Sequence, residues 1–370
     1  MKTSKGRRVR YVVIGQGYFA QSAVLPAFAG APSAKLTALV SDDPIKLAEL
    51  GDRYGVEHRV HYAELEDFLA WGHVDAAYIV LPNHLHREYT EKCAAAGVHV
   101  LCEKPMALSE SACAAMIHAC AASDVKLMIG YRLHFEAGNL RAIEALRDEV
   151  IGEARVISSL FTMQVQEGNI RLSAERGGGP LNDIGIYCVN AARYLFGDEP
   201  IEVLATRLSG DDPRFAEVDE AISAILRFPD GKVAQFTASF GASDLARYTV
   251  VGTRGTLDVE NAYEIGTPIT HILDVDGRKR RKRFARRDQV AAELIYFSRC
   301  ILEGTDPEPD GWEGLADVRI LDAIRESAAT GQAVKILPIV REERPDLAQD
   351  IHARAHGKSE LVHAAPPSEG

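Results

Sequence analysis

A doubly wound parallel α/β sheet over the first 130 residues, followed by an α+β unit built on a large, open, mainly antiparallel sheet with helices on one face, is what this sequence predicts. Three observations carry the prediction. Short apolar runs alternate with helical apolar spacing as far as Gly130. A glycine turn, Gly15-Gln16-Gly17, joins the first apolar run to the first helical stretch. Beyond Gly130 the segments lengthen and fill with β-branched and aromatic residues, separated by turns such as Pro229-Asp230-Gly231-Lys232.

Taken in order, residues 9–14 (Val-Arg-Tyr-Val-Val-Ile) form an apolar run that the glycines stop, which reads as a buried strand. Residues 20–29 carry helical spacing, 36–40 a second strand and 45–54 a second helix. Strands at 76–81, 98–102 and 126–130 then alternate with helices at 87–96 and 110–122. Such alternation requires crossover connections, hence a parallel sheet of the Rossmann kind. After Gly130 comes an amphipathic helix at 139–149. Candidate strands follow at 154–164, 201–209, 221–228, 233–240, 246–252, 255–261 and 269–275, with helices at 182–195, 289–302 and 314–330. The expected division is therefore 1–130 as the dinucleotide-binding domain, 131–337 as a substrate-binding and oligomerisation domain, and 338–370 as a polar peripheral extension carrying Pro366-Pro367.

Composition narrows the partners. The 370 residues exceed what one core usually supports, and 46% hydrophobic content allows two packed domains. A formal charge of -11 opposes binding to nucleic acid or an anionic membrane surface and leaves a small molecule as the expected partner. The six cysteines include no C-x-x-C pair and read as reduced, packed thiols. Arg7-Arg8 precedes an apolar run that leads straight into Gly15 without a small-residue cleavage site, so a strand rather than an export signal is expected, in a cytoplasmic protein.

The chemistry sits at the carboxyl ends of the first-domain strands, where open α/β sheets bind ligands. Gly15-Gln16-Gly17-Tyr18-Phe19-Ala20 is G-x-G-x-x-A between strand and helix: the glycines admit a pyrophosphate, and the helix start favours its charge. At the end of the second strand, Ser41 and Lys46 suit a 2'-phosphate, whereas Asp42 suits a free 2'-hydroxyl. NADP is favoured, with NAD the alternative. Leu81, Pro82, Asn83, His84 and His86 lie past the strand 76–81 as a polar loop beside the cofactor. No third ligand at recognisable spacing accompanies the two histidines, so no metal is expected. Glu103-Lys104-Pro105 ends another strand and delivers Lys104 to where a nicotinamide would lie, with Glu103 beside it.

In the second domain, Gly177-Gly178-Gly179 opens a helix on which Asp183 and Tyr187 stand four residues apart on one face. A tyrosine is a weak acid, but a cation such as Lys104 alongside lets it relay a proton. A purely structural Tyr187 and Asp183 is the competing reading. At the interdomain join, Tyr131, Arg132 and His134 either touch cofactor or substrate or satisfy polar groups there. The basic run 278–287 reads as a solvated strand or turn.

Together the motifs Gly15-x-Gly17-x-x-Ala20, Glu103-Lys104-Pro105 and Gly177-Gly178-Gly179 leading to Asp183 and Tyr187 resemble those of the Gfo/Idh/MocA oxidoreductases, over roughly residues 8–337. Tyrosine at 187, Ile129-Gly130-Tyr131-Arg132 and the segment Arg193-Tyr194-Leu195-Phe196-Gly197-Asp198-Glu199-Pro200 look like the glucose-fructose oxidoreductase branch. That resemblance implies NADP, a sugar or related polyol, and a homodimer or homotetramer formed through the second sheet. It also implies that Lys104 polarises the substrate oxygen, Tyr187 exchanges the proton, Asp183 orients sugar hydroxyls, and Ser41 and Lys46 hold the 2'-phosphate. Whether NADP exchanges, as in an ordinary dehydrogenase, or stays bound through a coupled cycle is left open by the residues. A noncatalytic NAD(P)-binding sensor and a reductase of a nonsugar carbonyl, such as a cyclic diol dehydrogenase, are the alternatives; a sensor needs none of the Lys104, Asp183 and Tyr187 chemistry.

Overall fold

A computed structural model describes residues 6–368. Six strands, β1 (Val9–Ile14), β2 (Ala34–Val40), β3 (His58–Val60), β4 (Ala76–Ile79), β5 (His99–Glu103) and β6 (Leu127–Gly130), form one sheet in the order β3-β2-β1-β4-β5-β6. Every pairing in it is parallel. Burial is continuous along β4 and β6, as a sheet covered on both faces demands. The three-residue β3 and the helix Leu65–Ala70 were not foreseen: both are too short for a periodicity to register.

The second sheet has nine strands: β7 (Ala154–Thr162), β8 (Glu202–Leu208), β9 (Ala221–Arg227), β10 (Val233–Ser239), β11 (Leu245–Gly252), β12 (Gly255–Glu260), β13 (Thr270–Val275), β14 (Arg278–Arg283) and β15 (Val334–Lys335). Their order is β14-β13-β12-β11-β7-β10-β9-β8-β15, antiparallel except where β7 meets β10. Side chains alternate. Ala234, Phe236 and Ala238 turn inward beneath the helices, while Gln235 faces solvent. The basic run becomes the edge strand β14, whose six exposed Arg and Lys side chains discourage pairing with another sheet edge.

Two features depart from the expected division. Helix Gln289–Glu303 lies within 131–337 but packs on the first sheet: Val290, Ala291, Leu294 and Phe297 join the apolar cluster of Tyr11, Val13, Leu39 and Tyr78, and the Tyr11 hydroxyl bonds Ser298 Oγ at 3.0 Å. The segment after residue 337, expected to be peripheral, is fastened across both units. Gln349 donates to Glu308, Arg344 pairs with Glu199, and Ala353 and Val362 are buried in the first unit's core. Among the described residues no helix is long and apolar enough to cross a membrane.

Candidate active site

The two helices that frame the site both begin with a π turn, Ala20–Val24 after the glycine turn and Leu181–Gly185 after the glycine triplet. Such wide turns recur at functional sites because they re-aim side chains. Gly15 is glycine for two reasons: its φ is +97°, and a Cβ there would stand 2.3 Å from the Val80 carbonyl oxygen. Gly17 is exposed, and open space surrounds the position a Cβ would take. A backbone turn open at that point, at a helix start, fits a dinucleotide pyrophosphate. Leu81 lines it, with Cδ2 near Gly15; Tyr18, Phe19 and Pro82 are half-buried around it. Gln16 instead turns inward and donates to the Val13 carbonyl.

At the end of β2, Ser41 Oγ accepts from the Asp43 amide at 3.1 Å, and Asp43 caps the helix Pro44–Tyr54 through the Ile45 and Lys46 amides. Asp43 Oδ1 is occupied by the cap and Oδ2 by His363, whereas Asp42, the acid expected at a free 2'-hydroxyl, is exposed beside Ser41, and Lys46 stands in the first turn of the helix. The donor set fits the extra phosphate of NADP.

The candidate chemical centre lies where the two units meet. Lys104 Nζ, at the end of β5, donates to the Asp183 carbonyl at 2.7 Å and to its carboxylate at 3.1 Å. Arg171 Nε donates to the other carboxylate oxygen at 2.6 Å. Burial would raise the Asp183 carboxyl, but these two cations hold it well below the usual range. Burial likewise opposes the Lys104 charge; Tyr187, Asp183 and Glu103 outweigh it and hold the ammonium above its ordinary value, so Lys104 is a cation at neutral pH. The Tyr187 ring lies between two cations, 4.7 Å from Lys104 Nζ and 4.8 Å from the Arg132 guanidinium. Arg132 Nε also donates to the Tyr187 hydroxyl at 3.1 Å. The phenolic oxygen is thereby an acceptor.

Several expected contacts play other parts. His86 is fully buried, its ring nitrogens 2.9 Å from the Pro105 and Leu81 carbonyls, so it ties two strand-end loops together rather than touching a cofactor. His84 beside it is exposed, and the two share no site. Tyr131 is buried and stacked on His134, with its hydroxyl toward Asp317; it backs the site and is not positioned for substrate. Arg132, expected at the cofactor, is 6% exposed and serves Tyr187, with Gln289 holding its other arm at 2.7 Å. Asn83 donates to the Gly177 carbonyl at 2.8 Å and so latches the two units. Glu103 turns back to accept from the Tyr78 hydroxyl at 2.7 Å, and burial, against the pull of Lys104, raises its carboxyl. Arg171, Tyr78 and Gln289 escaped sequence reasoning, because no motif marks them.

Two family models match end to end across this arrangement. The oxidoreductase family with an NAD-binding Rossmann fold covers residues 9–131, and the Gfo/Idh/MocA C-terminal domain covers 139–258. The chain belongs to the Gfo/Idh/MocA oxidoreductases. Among its relatives, an NADP-dependent D-xylose 1-dehydrogenase from Haloarcula marismortui is 33% identical over 90% of this chain and 95% of its own length. A solved aldose-aldose oxidoreductase from Caulobacter crescentus, in complex with glycerol, is 38% identical, covers 89% of this chain and 100% of its own, and superposes with a TM-score of 0.86. A 3-ketoreductase from Actinomadura kijaniata, solved with NADP and TDP-benzene, is 26% identical over 87% of this chain and 98% of its own, with a TM-score of 0.80. For this Gfo/Idh/MocA chain the parallel sheet followed by the mostly antiparallel one is the family architecture, as the sequence predicted.

Proposed function

We propose that this chain transfers a hydride between NADP and the carbinol carbon of an aldose, with Lys104 and Tyr187 serving the oxygen on that carbon and Asp183 orienting the sugar. It is an NADP-dependent oxidoreductase acting on sugars, in keeping with its D-xylose 1-dehydrogenase and aldose-aldose oxidoreductase relatives. The observation that carries the assignment of roles is the Tyr187 ring held between the Lys104 and Arg132 cations at the junction of the two units. NADP, when bound, supplies the hydride acceptor. Gly15 and Gly17 admit its pyrophosphate, and Ser41 and Lys46 face its 2'-phosphate.

As the substrate hydroxyl gives up its proton to the Tyr187 oxygen, the phenolic proton passes on to water, and the adjacent cations stabilise the charge that builds on either oxygen. Asp183 keeps the Lys104 ammonium charged and aimed. The Asp183 carboxylate, bound by two cations, has oxygen lone pairs left for sugar hydroxyls.

Leu204, Ile225, Val156 and Val251 are exposed on the helix-free face of the second sheet, and this apolar face supports a homodimer or homotetramer. Six buried free thiols support a cytoplasmic setting. A panel of aldoses, polyols and nonsugar carbonyls with NADP and NAD, followed by cofactor absorbance, tests the reading. Reduction of NADP by an aldose upholds it; turnover of nonsugar carbonyls alone would transfer the site to a different reductase, and cofactor binding without any turnover would leave a sensor.

A further inference from the structure

Residues 360–363 of the C-terminal segment dock beside the cofactor-binding turn. Gln21, one residue past Ala20 of the glycine motif, is fully buried. Its amide nitrogen donates to the Gln16 carbonyl at 2.9 Å and to the Val362 carbonyl at 2.8 Å, while its oxygen accepts the Val362 amide at 2.7 Å. One side chain thus holds the glycine turn and the tail in a fixed register. Val362 is buried with Val24 and Leu25 of the first helix. The next residue, His363, places Nδ1 2.8 Å from Asp43 Oδ2, and Arg53 of the helix Pro44–Tyr54 donates to the Glu360 carbonyl.

The three anchors surround one end of the dinucleotide site. They join the tail to the helix that follows the glycines, to the turn that begins at Ser41, and to the helix that Asp43 caps. That turn carries two acids, Asp42 and Asp43, which oppose a phosphate dianion; His363 lies on one of them.

We infer that residues 360–363 form a clasp that completes the adenosine end of the NADP site: His363 occupies the Asp43 carboxylate and so favours a 2'-phosphate, and the docked tail retards cofactor release. The inference rests on the reading of Ser41 and Lys46 as the 2'-phosphate site.

The full chain, a chain ending at Ser359 and the variant His363→Ala would be compared for NADPH release by stopped-flow fluorescence and for NADP and NAD affinity by calorimetry. His363 has an exposed side chain, so its removal leaves the fold intact even if the shortened chain is unstable. The chain ending at Ser359 is expected to release NADPH roughly tenfold faster, since affinity differences within one interface appear chiefly in the off-rate. His363→Ala should weaken NADP by roughly fivefold and leave NAD nearly unchanged, because the freed Asp43 carboxylate then opposes the phosphate. Release rates and NADP-to-NAD preference unaltered in both variants would overturn the clasp while the NADP site stands. A full chain that prefers NAD would overturn the 2'-phosphate reading itself.

Discussion

In the proposed reaction Lys104 and Tyr187 serve the reacting oxygen, and their surroundings make different demands on a substitution. Lys104→Ala removes a buried cation whose partner is Asp183, and turnover is expected to fall by roughly a hundredfold or more, the usual cost of one preorganised charge at the reacting oxygen. Cofactor affinity should change little, and steady-state kinetics with calorimetry would separate the two. Tyr187→Phe keeps the ring beside Lys104 and Arg132 but removes the oxygen, so the same kinetic loss is expected, with a stability loss of roughly 1–3 kcal/mol because the buried Arg132 Nε loses its acceptor. Undiminished turnover in both variants would remove them from the reaction. Asp183 adds a pH dependence. Its folded-state value lies below that of the unfolded chain, so its stabilisation is fully present above the ordinary carboxylate value of about 3.9 and is lost as pH falls toward the lowered value. Denaturant melts of the wild-type chain and Asp183→Asn should therefore differ by a constant amount near neutrality and converge in acid. That Lys104 would stand beside Asp183 and Tyr187 was legible from motif spacing. Arg171 was not, because it reaches Asp183 from a loop whose residues carry no periodic or motif signal.

At the scale of elements, turns aim the site. Gly15→Ala would force a side chain into a left-handed conformation against the Val80 carbonyl, and a loss of roughly 1–3 kcal/mol in a urea melt is expected, along with weakened NADP binding. Native stability and affinity in that variant would show that the turn is not under this constraint. Gly178, on the opposite wall, is constrained by space alone, since a Cβ there would meet the Arg171 carbonyl at 2.3 Å, so the glycine triplet fixes the loop that carries Arg171. Most strands and helices were readable because their apolar periods are long enough to repeat. The exceptions, β3, β15 and Leu65–Ala70, span three, two and six residues and are held by neighbours rather than by their own pattern. Loop residues at the sheet edge were placed correctly in sequence but not in direction. His86, Asn83 and Glu103 stand at the expected strand ends, yet their side chains turn toward loop carbonyls and Tyr78.

On the scale of the whole molecule, the two units are interlocked, since helix Gln289–Glu303 and the tail both return to the first sheet. The uncovered sheet face offers the area for self-association. Replacing Leu204 and Ile225 together by lysine should convert an oligomer to monomer in analytical ultracentrifugation; an unchanged mass would place the interface elsewhere. By itself the sequence determined the parallel sheet, the antiparallel sheet, the glycine turn and the residues Lys104, Asp183 and Tyr187, because periodicity, turn chemistry and motif spacing are local properties. Only the tertiary structure decided that Arg132 serves Tyr187, that Arg171 completes the Asp183 pairs, and that Val362 docks on Gln21. Those contacts join residues 55, 12 and 341 positions apart through side-chain directions that packing alone sets.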